Sequence, residues 1–495
     1  MVKRIWQQHQ FIILILILAL GLRLPLLNGS LWLDEAAQAL ESSRPWAQQL
    51  NITADFQPPL IHLLLFFTLQ VSTASWWLRT CVALIPGLVT IWASYELGEK
   101  LINRQAGIVT ALLLATSSFH IFYSQELRPY SLPAMWAVLS WLPLLAATNR
   151  KKFSQKNWFL YTLFSSLGFY SSYLYPFFWL AQLAWVAWQK RHQLMTMVSS
   201  ATLIGLSFLP WLPSFLGQLE AGSLVRQELP GWDQVVSISQ LKSPALVVGK
   251  FLYGVMNIEP TPFFIVSFSI FVIGFAYLIS QHSSLLKKKQ QLKKLILILL
   301  WLILPLLAAW IVSFWIPVIR PKRMLFLLPA TYLLVSLVAT LNQEKNKLGS
   351  LLMGMILLLN SWGVLQYHLN PNYQRENWQD LYYQVSANYS PTATALLFSY
   401  PNPFSPWRWY AHDEYPTITT GQLYIKNVPQ LSERIKTVND YRYVLLFDYL
   451  RDLTDPDDQL RAELWSLGFH EINALDYPHI GLVRVFSRYK PMAEL

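Results

Sequence analysis

One cysteine, Cys81, stands among 495 residues. That excludes an intramolecular disulfide and any cysteine-built zinc or iron–sulfur centre. Charge is scarce as well. Asp, Glu, Lys and Arg make up 13% of the chain, against ~25% in a soluble globular protein, so an ordinary soluble enzyme and a disordered chain are both excluded. Apolar and aromatic residues take their place: 54% of the chain is hydrophobic, with 22 Trp, 24 Tyr and 29 Pro. This composition fits a multi-span helical membrane protein, where aromatics sit at the interfaces and proline is tolerated within spans. The net charge of +11 is partitioned. From Asn370 onward 11 basic residues stand against 15 acidic ones, and up to Leu369 the balance is 27 against 12. The excess lies between apolar runs, as the positive-inside rule requires. No nucleic-acid partner is expected.

A helix needs ~20 apolar residues to cross a bilayer. Phe11–Leu27 is the first such run, read as an uncleaved anchor because Arg23 interrupts its end and no small-residue cleavage site follows. Further runs occupy 76–97, 106–123, 129–147, 158–175, 176–188, 194–212, 262–280, 295–317, 324–341 and 348–367, about eleven spans in all. The basic clusters at Lys100/Arg104, Arg150/Lys151/Lys152/Lys156, Lys190/Arg191, Lys287–Lys289/Lys293/Lys294 and Lys345/Lys347 then share the side of the N-terminus. This holds only if residues 59–71, about thirteen apolar residues opening on Pro58-Pro59, do not cross. The expected arrangement is a membrane module over 1–369, with outer loops at 28–58 and 213–261. A small α/β domain over 370–495 would lie outside the cytoplasmic membrane, with the N-terminus cytoplasmic. Within that domain 376–388 reads as a helix, and 395–399, 443–447 and 480–486 as strands.

Charges gather at the outer ends of spans, against the orientation trend. Trp32-Leu33-Asp34-Glu35 follows the first run, and adjacent carboxylates are costly in low dielectric unless a cation, a metal or a proton serves them. Tyr123-Ser124-Gln125-Glu126-Leu127-Arg128-Pro129-Tyr130 forms an outer hairpin, where Glu126 and Arg128 could also pair with each other or cap the next helix. Arg320-Pro321-Lys322-Arg323 places three cations at an outer boundary, which suits an anionic ligand or lipid head groups. Asp55-Phe56-Gln57-Pro58-Pro59-Leu60 leads into the short apolar helix, and His62 beyond it reads as an interface residue. Carboxylates opposite a phosphate clamp suit group transfer from a phosphorylated membrane lipid. Cations would neutralise the leaving phosphate and a carboxylate would accept the acceptor's proton.

In this order the residues resemble the GT-C membrane glycosyltransferases, in the polyprenyl-phosphate-sugar-dependent branch of protein O-mannosyltransferases and bacterial aminoarabinose transferases (glycosyltransferase family 39-like). Leu33-Asp34-Glu35 is similar to that family's Asp-Glu pair, and Gln57-Pro58-Pro59-Leu60 to its Pro-Pro-Leu. Leu78-Arg79 is similar to its Leu-Arg, and residues 123–130 to its Tyr-Ser-Gln-Glu-x-Arg-x-Tyr. Arg323 with Pro329 and Arg375-Glu376-Asn377-Trp378 resemble later family segments. Met324 departs from the family's usual Tyr, and Phe56-Gln57 from an acidic–basic pair that in some members contacts a metal. No metal ligand is therefore carried over.

The resemblance implies an inverting hexosyl- or pentosyltransferase, acting on an acceptor glycan, lipid or protein hydroxyl at the outer face. Its donor would be a polyprenyl-phosphate-linked sugar. Asp34 and Glu35 would be catalytic, with Asp34 as base. Arg128, Lys322 and Arg323 would hold the donor phosphate. Glu126, Tyr130, Asp55 and Gln57 would bind substrate. A divalent cation beside Glu35 or Glu126 stays open as a cofactor. The alternatives are a transporter or flippase of lipid-linked sugars, which would use the same clamp but needs charges midway along spans, and a scaffold presenting the tail, which gives no reason for the outer cations.

Overall fold

The computed structural model describes residues 2–149, 153–229, 240–256, 289–340 and 347–488, apart from 54 and 427, with isolated positions between 261 and 272. The span expected at 262–280 and the lysine run at 287–288 lie largely outside the described residues, as do Lys151, Lys152 and Lys345.

The chain opens with α1 (Val2–Gly21), α2 (Leu33–Ser42) and α3 (Leu60–Leu69). Next come α4 (Ser75–Leu101), α5 (Arg104–Thr116), α6 (Ser118–Tyr123), α7 (Ser131–Asn149), α8 (Gln155–Phe169) and α9 (Tyr175–Gln189). The membrane body continues with α10 (Arg191–Glu228), α11 (Ser243–Tyr253), α12 (Lys289–Val312), α13 (Pro321–Thr340) and α14 (Lys347–Leu369). Six of these, α4, α7, α10, α12, α13 and α14, are long and apolar enough to cross a membrane. The apolar stretches His9–Gly21, Leu60–Leu69 and Arg104–Thr116 are shorter.

The run expected as one span over 106–123 is broken at Ser117. That residue leaves helical geometry and accepts a hydrogen bond from the His120 N–H at 3.3 Å, ending α5 and capping α6. The stretch expected as an outer loop from residue 213 begins as the second half of α10: Pro213 stands in the first turn of Leu212–Glu228, where a missing N–H costs nothing, and Gly217 and Gly222 are accommodated within it. α4 and α5 form a tight hairpin. A Cβ on Gly98 would stand 2.8 Å from the Gly107 Cα, so the two backbones meet where only glycine fits. Buried Trp141, Trp301 and Phe178 join α7, α12 and α9 through ring contacts of 5.6 to 6.3 Å. Gly254, just past α11 at φ 74°, and Gly363 of α14 both lie against Ser118. A Cβ on either would come within 1.8 and 2.4 Å of its hydroxyl oxygen.

The tail starts with α15 (Trp378–Asn388) and carries a five-stranded sheet. Its strands are β1 (Thr394–Phe398), β2 (Thr417–Thr419), β3 (Tyr443–Phe447), β4 (His470–Tyr477) and β5 (Gly481–Ser487), in the order β2-β1-β3-β5-β4. β1 runs parallel to β2 and β3, and β5 antiparallel to β3 and β4. All five β1 residues are buried, as an interior strand of a sheet covered on both faces should be. On one face Phe398 stacks on Phe447 at 4.7 Å, with Trp378 and Trp407 over the same ring. α16 (Ser405–Ala411) packs against α2, which joins the tail to the membrane body.

Candidate active site

The loop after α1 is held by side chains that arrive from far along the sequence. Arg23 is fully buried and donates to the Ala19 and Ala115 carbonyls at 2.9 and 3.0 Å. Gln125 donates to the Arg23 carbonyl at 2.6 Å and to that of Pro25. The chain then enters α2, whose first turn carries Asp34 and Glu35, where the helix dipole favours negative charge.

These two neighbours meet opposite surroundings. Glu35 is 0% exposed. Arg79 of α4 donates to both of its oxygens, at 2.9 and 2.5 Å, and the Leu127 N–H adds a third bond at 2.7 Å. Burial alone would raise its pKa, but the Arg79 guanidinium, helped by Arg375, holds it below the usual carboxylate range. Arg79 also donates to the carbonyls of Leu27, Gly29 and Ser30, so one ion pair ties the loop, α2 and α4 together. Asp34 keeps 35% of its side chain exposed, with the Lys322 ammonium 3.9 Å away.

The 123–130 hairpin feeds this rim at nearly every position. Glu126 is buried and pairs with Arg375 at 3.2 Å. Burial raises its pKa despite Arg375 and Lys322, and its Oε1 makes no hydrogen bond among the described residues. Arg375 also donates to the Phe122 carbonyl and lies 4.0 Å over the Phe122 ring. Arg128 reaches Asp55 and Gln38, both at 3.3 Å. Gln57 donates to Gln38 and Asp55, while His62 lies 2.8 Å from Gln38 and 3.5 Å from Asp55. Burial opposes ionisation of Asp55, yet Arg128 and His62 bring its pKa down to about 2. Tyr130 faces Lys322, whose ammonium also lies over Trp32.

A cavity of about 390 Å³ opens beside this rim. Lys250, Arg320 and Lys322 supply its cations, and Phe119, Phe122 and Tyr123 its aromatic wall. Residues 372–374 close it from the tail side. Lys250, at the end of α11, donates to the Val255 and Met256 carbonyls, and burial lowers its pKa to about 8. Of the three cations expected on one phosphate, Lys322 lines this cavity. Arg128 is engaged by Asp55, and Arg323 donates to the Pro317 and Val318 carbonyls at 3.2 and 3.3 Å. Lys250 was missed, although a lone cation inside the apolar run of α11 was the available signal. Arg320 was visible only as part of its cluster. Among the described residues no group of three or more His, Cys, Asp or Glu could hold a metal ion. The carboxylates of the rim have Lys322, Arg375, Arg79 and Arg128 beside them instead.

Residues 56–214 match the family model for dolichyl-phosphate-mannose-protein mannosyltransferase. The whole chain is similar to the crystal structure of ArnT from Cupriavidus metallidurans bound to undecaprenyl phosphate. The TM-score is 0.58 at 13% identity, over 97% of this chain and 98% of that one. It is also similar to the archaeal oligosaccharyltransferase AglB from Archaeoglobus fulgidus, solved with an inhibitory peptide and a dolichol-phosphate. There the TM-score is 0.53 at 13% identity, over 100% of this chain and 75% of that one. No curated protein sequence matches the chain. At such identities the likeness is one of fold. The chain is a multi-pass helical membrane protein of the GT-C fold with a small α/β tail, and the resemblance read from its motifs agrees with this.

Proposed function

We propose that this protein is an inverting glycosyltransferase that moves a sugar from a polyprenyl-phosphate donor to an acceptor hydroxyl, on the outer face of the cytoplasmic membrane. The observation that carries this reading is the meeting of Asp34 with Lys322 at 3.9 Å, where Lys322 also walls the three-cation cavity. In this reading Lys250, Arg320 and Lys322 hold the donor phosphate. Asp34, the accessible carboxylate of the pair, takes the proton from the acceptor hydroxyl. The hydroxyl oxygen attacks the anomeric carbon from the face opposite the phosphate, and the bond from that carbon to the phosphate oxygen breaks. Polyprenyl phosphate leaves with one more negative charge, which the cations neutralise as it develops. Glu35 holds the loop through Arg79. Glu126, Tyr130, Asp55 and Gln57 frame the acceptor and sugar side, with Arg128 fixed by Asp55. The tail lies outside the membrane and closes the cavity with residues 372–374.

The test is turnover of a lipid-linked sugar by the purified protein, with donor binding assayed in parallel. Asp34→Asn keeps shape and removes basicity, so transfer should be lost while binding stays. Near-normal transfer would move the base elsewhere.

A further inference from the structure

Glu376 follows the last membrane helix and precedes α15, and only 9% of it is exposed. Three donors from three segments converge on its carboxylate. The Leu33 N–H at the start of α2 lies at 3.3 Å, the Trp378 indole N–H at 2.6 Å and the Tyr449 hydroxyl at 2.8 Å. Leu33 is the residue before Asp34. Two more bonds fasten the same stretch to the tail: the Leu31 N–H to the Tyr410 hydroxyl at 2.7 Å, and the Gln379 N–H to the Ser30 hydroxyl at 3.1 Å. On its other side Asp34 is followed by Glu35, locked to Arg79. Asp34 is thus bracketed by two fixed residues, one held by the tail and one by the membrane body.

We propose that Glu376 is a positioning residue through which the tail fixes the first turn of α2 and aims Asp34 at the cavity. This rests on the reading of Asp34 as the base. A carboxylate that receives three donors is matched best when ionised: protonation at Oε1 turns the Tyr449 bond around and leaves Oε2 a weaker, uncharged acceptor for the Leu33 and Trp378 N–H groups. Burial pushes Glu376 up to about 7, against the pull of its three donors and with the push of Asp34. The titratable groups facing it are Tyr449 from the tail and Asp34 from α2. With the pKa raised, the matched, ionised clasp exists above about pH 7 and is lost as pH falls through it.

The experiment is the pH profile of kcat for the full-length protein in bilayers, with KM for the lipid-linked donor measured alongside. The wild type should show a limb near pH 7, falling on the acid side. Glu376→Gln should lower kcat by roughly ten- to a hundredfold, the cost of a misplaced catalytic group, with KM unchanged and the limb gone. Tyr449→Phe removes one donor and little volume. It should keep the limb and move it up by roughly one to two pH units, the worth of a hydrogen bond to a charged group. A limb that stays in place in Tyr449→Phe overturns the proposal, and that variant decides the matter if Glu376→Gln fails to fold. Wild-type turnover in Asp34→Asn would overturn the underlying reading, whatever the Glu376 variants do, so the two failures are told apart.

Discussion

Two regions of this molecule are rich in carboxylate–guanidinium pairs, and they use them differently. At the rim of the membrane body Glu35–Arg79, Asp55–Arg128 and Glu126–Arg375 join residues 44, 73 and 249 positions apart. The first and last of these pairs are almost wholly enclosed. In the tail Asp448, Arg451, Glu471 and Arg484 pair over separations of 36 residues or fewer; Asp448 and Arg484 are as enclosed as Asp55 and Arg128, while Arg451 also reaches the fully open Asp452. Desolvating a charge costs several kcal/mol even after relaxation, so enclosed pairs are a poor source of net stability. Their use at the rim is registration. Each draws a distant segment to a fixed distance from Asp34, the carboxylate left open. The outer tail pair, Arg451 with Asp452, sits on a surface that would fold much the same without it.

That contrast can be attacked from its strongest point downward. Asp34→Asn should cost about 100- to 10,000-fold in turnover, the range for removing a general base, with donor binding retained. Arg79→Met, which leaves Glu35 enclosed without its cation, should lose about 3–5 kcal/mol of stability. A thermal melt of the detergent-solubilised protein reads this, and an unchanged melt would make the rim pair as dispensable as those of the tail. Lys322→Ala should cost about 2–4 kcal/mol of transition-state stabilisation, or roughly 30- to 1000-fold in kcat/KM. Arg323→Ala should cost less, because its guanidinium faces two carbonyls. Equal losses from the two would favour head-group anchoring over a phosphate site. At the bottom of the scale Arg451→Ala should change stability by about 0–1 kcal/mol, and a larger drop would erase the distinction between the regions.

The sequence carried the rim well wherever its residues were close together. Asp34 with Glu35, the 123–130 hairpin and the prolines before α3 stand in short motifs. Helix geometry and a turn are enough to place them. The helical membrane body and α/β tail were equally legible, from apolar runs and from the reversed charge balance after Asn370. The cavity was not. Lys250 comes from α11, Arg320 from the approach to α13 and residues 372–374 from beyond α14, and their meeting depends on helix packing that no local pattern encodes. The bond from Leu33 to Glu376 spans 343 positions. Two edge strands escaped for a different reason. β2 has three residues, and β4 is mostly exposed with an irregularity between Glu471 and Asn473, so neither shows the alternation of a half-buried strand.

The two glycines pressed against Ser118 set how this protein could diversify. Lys250 lies one turn before Gly254, and Phe119 and Phe122 follow Ser118, so the contact between Ser118, Gly254 and Gly363 is the joint from which the cavity wall hangs. A methyl added at either glycine would first turn the Ser118 hydroxyl aside and then press on its Cβ, and at Gly254 the positive φ would add backbone strain. The joint therefore resists substitution more at Gly254 than at Gly363. New donor preferences would come more readily from exchanging the side chains that line the cavity than from reshaping this corner.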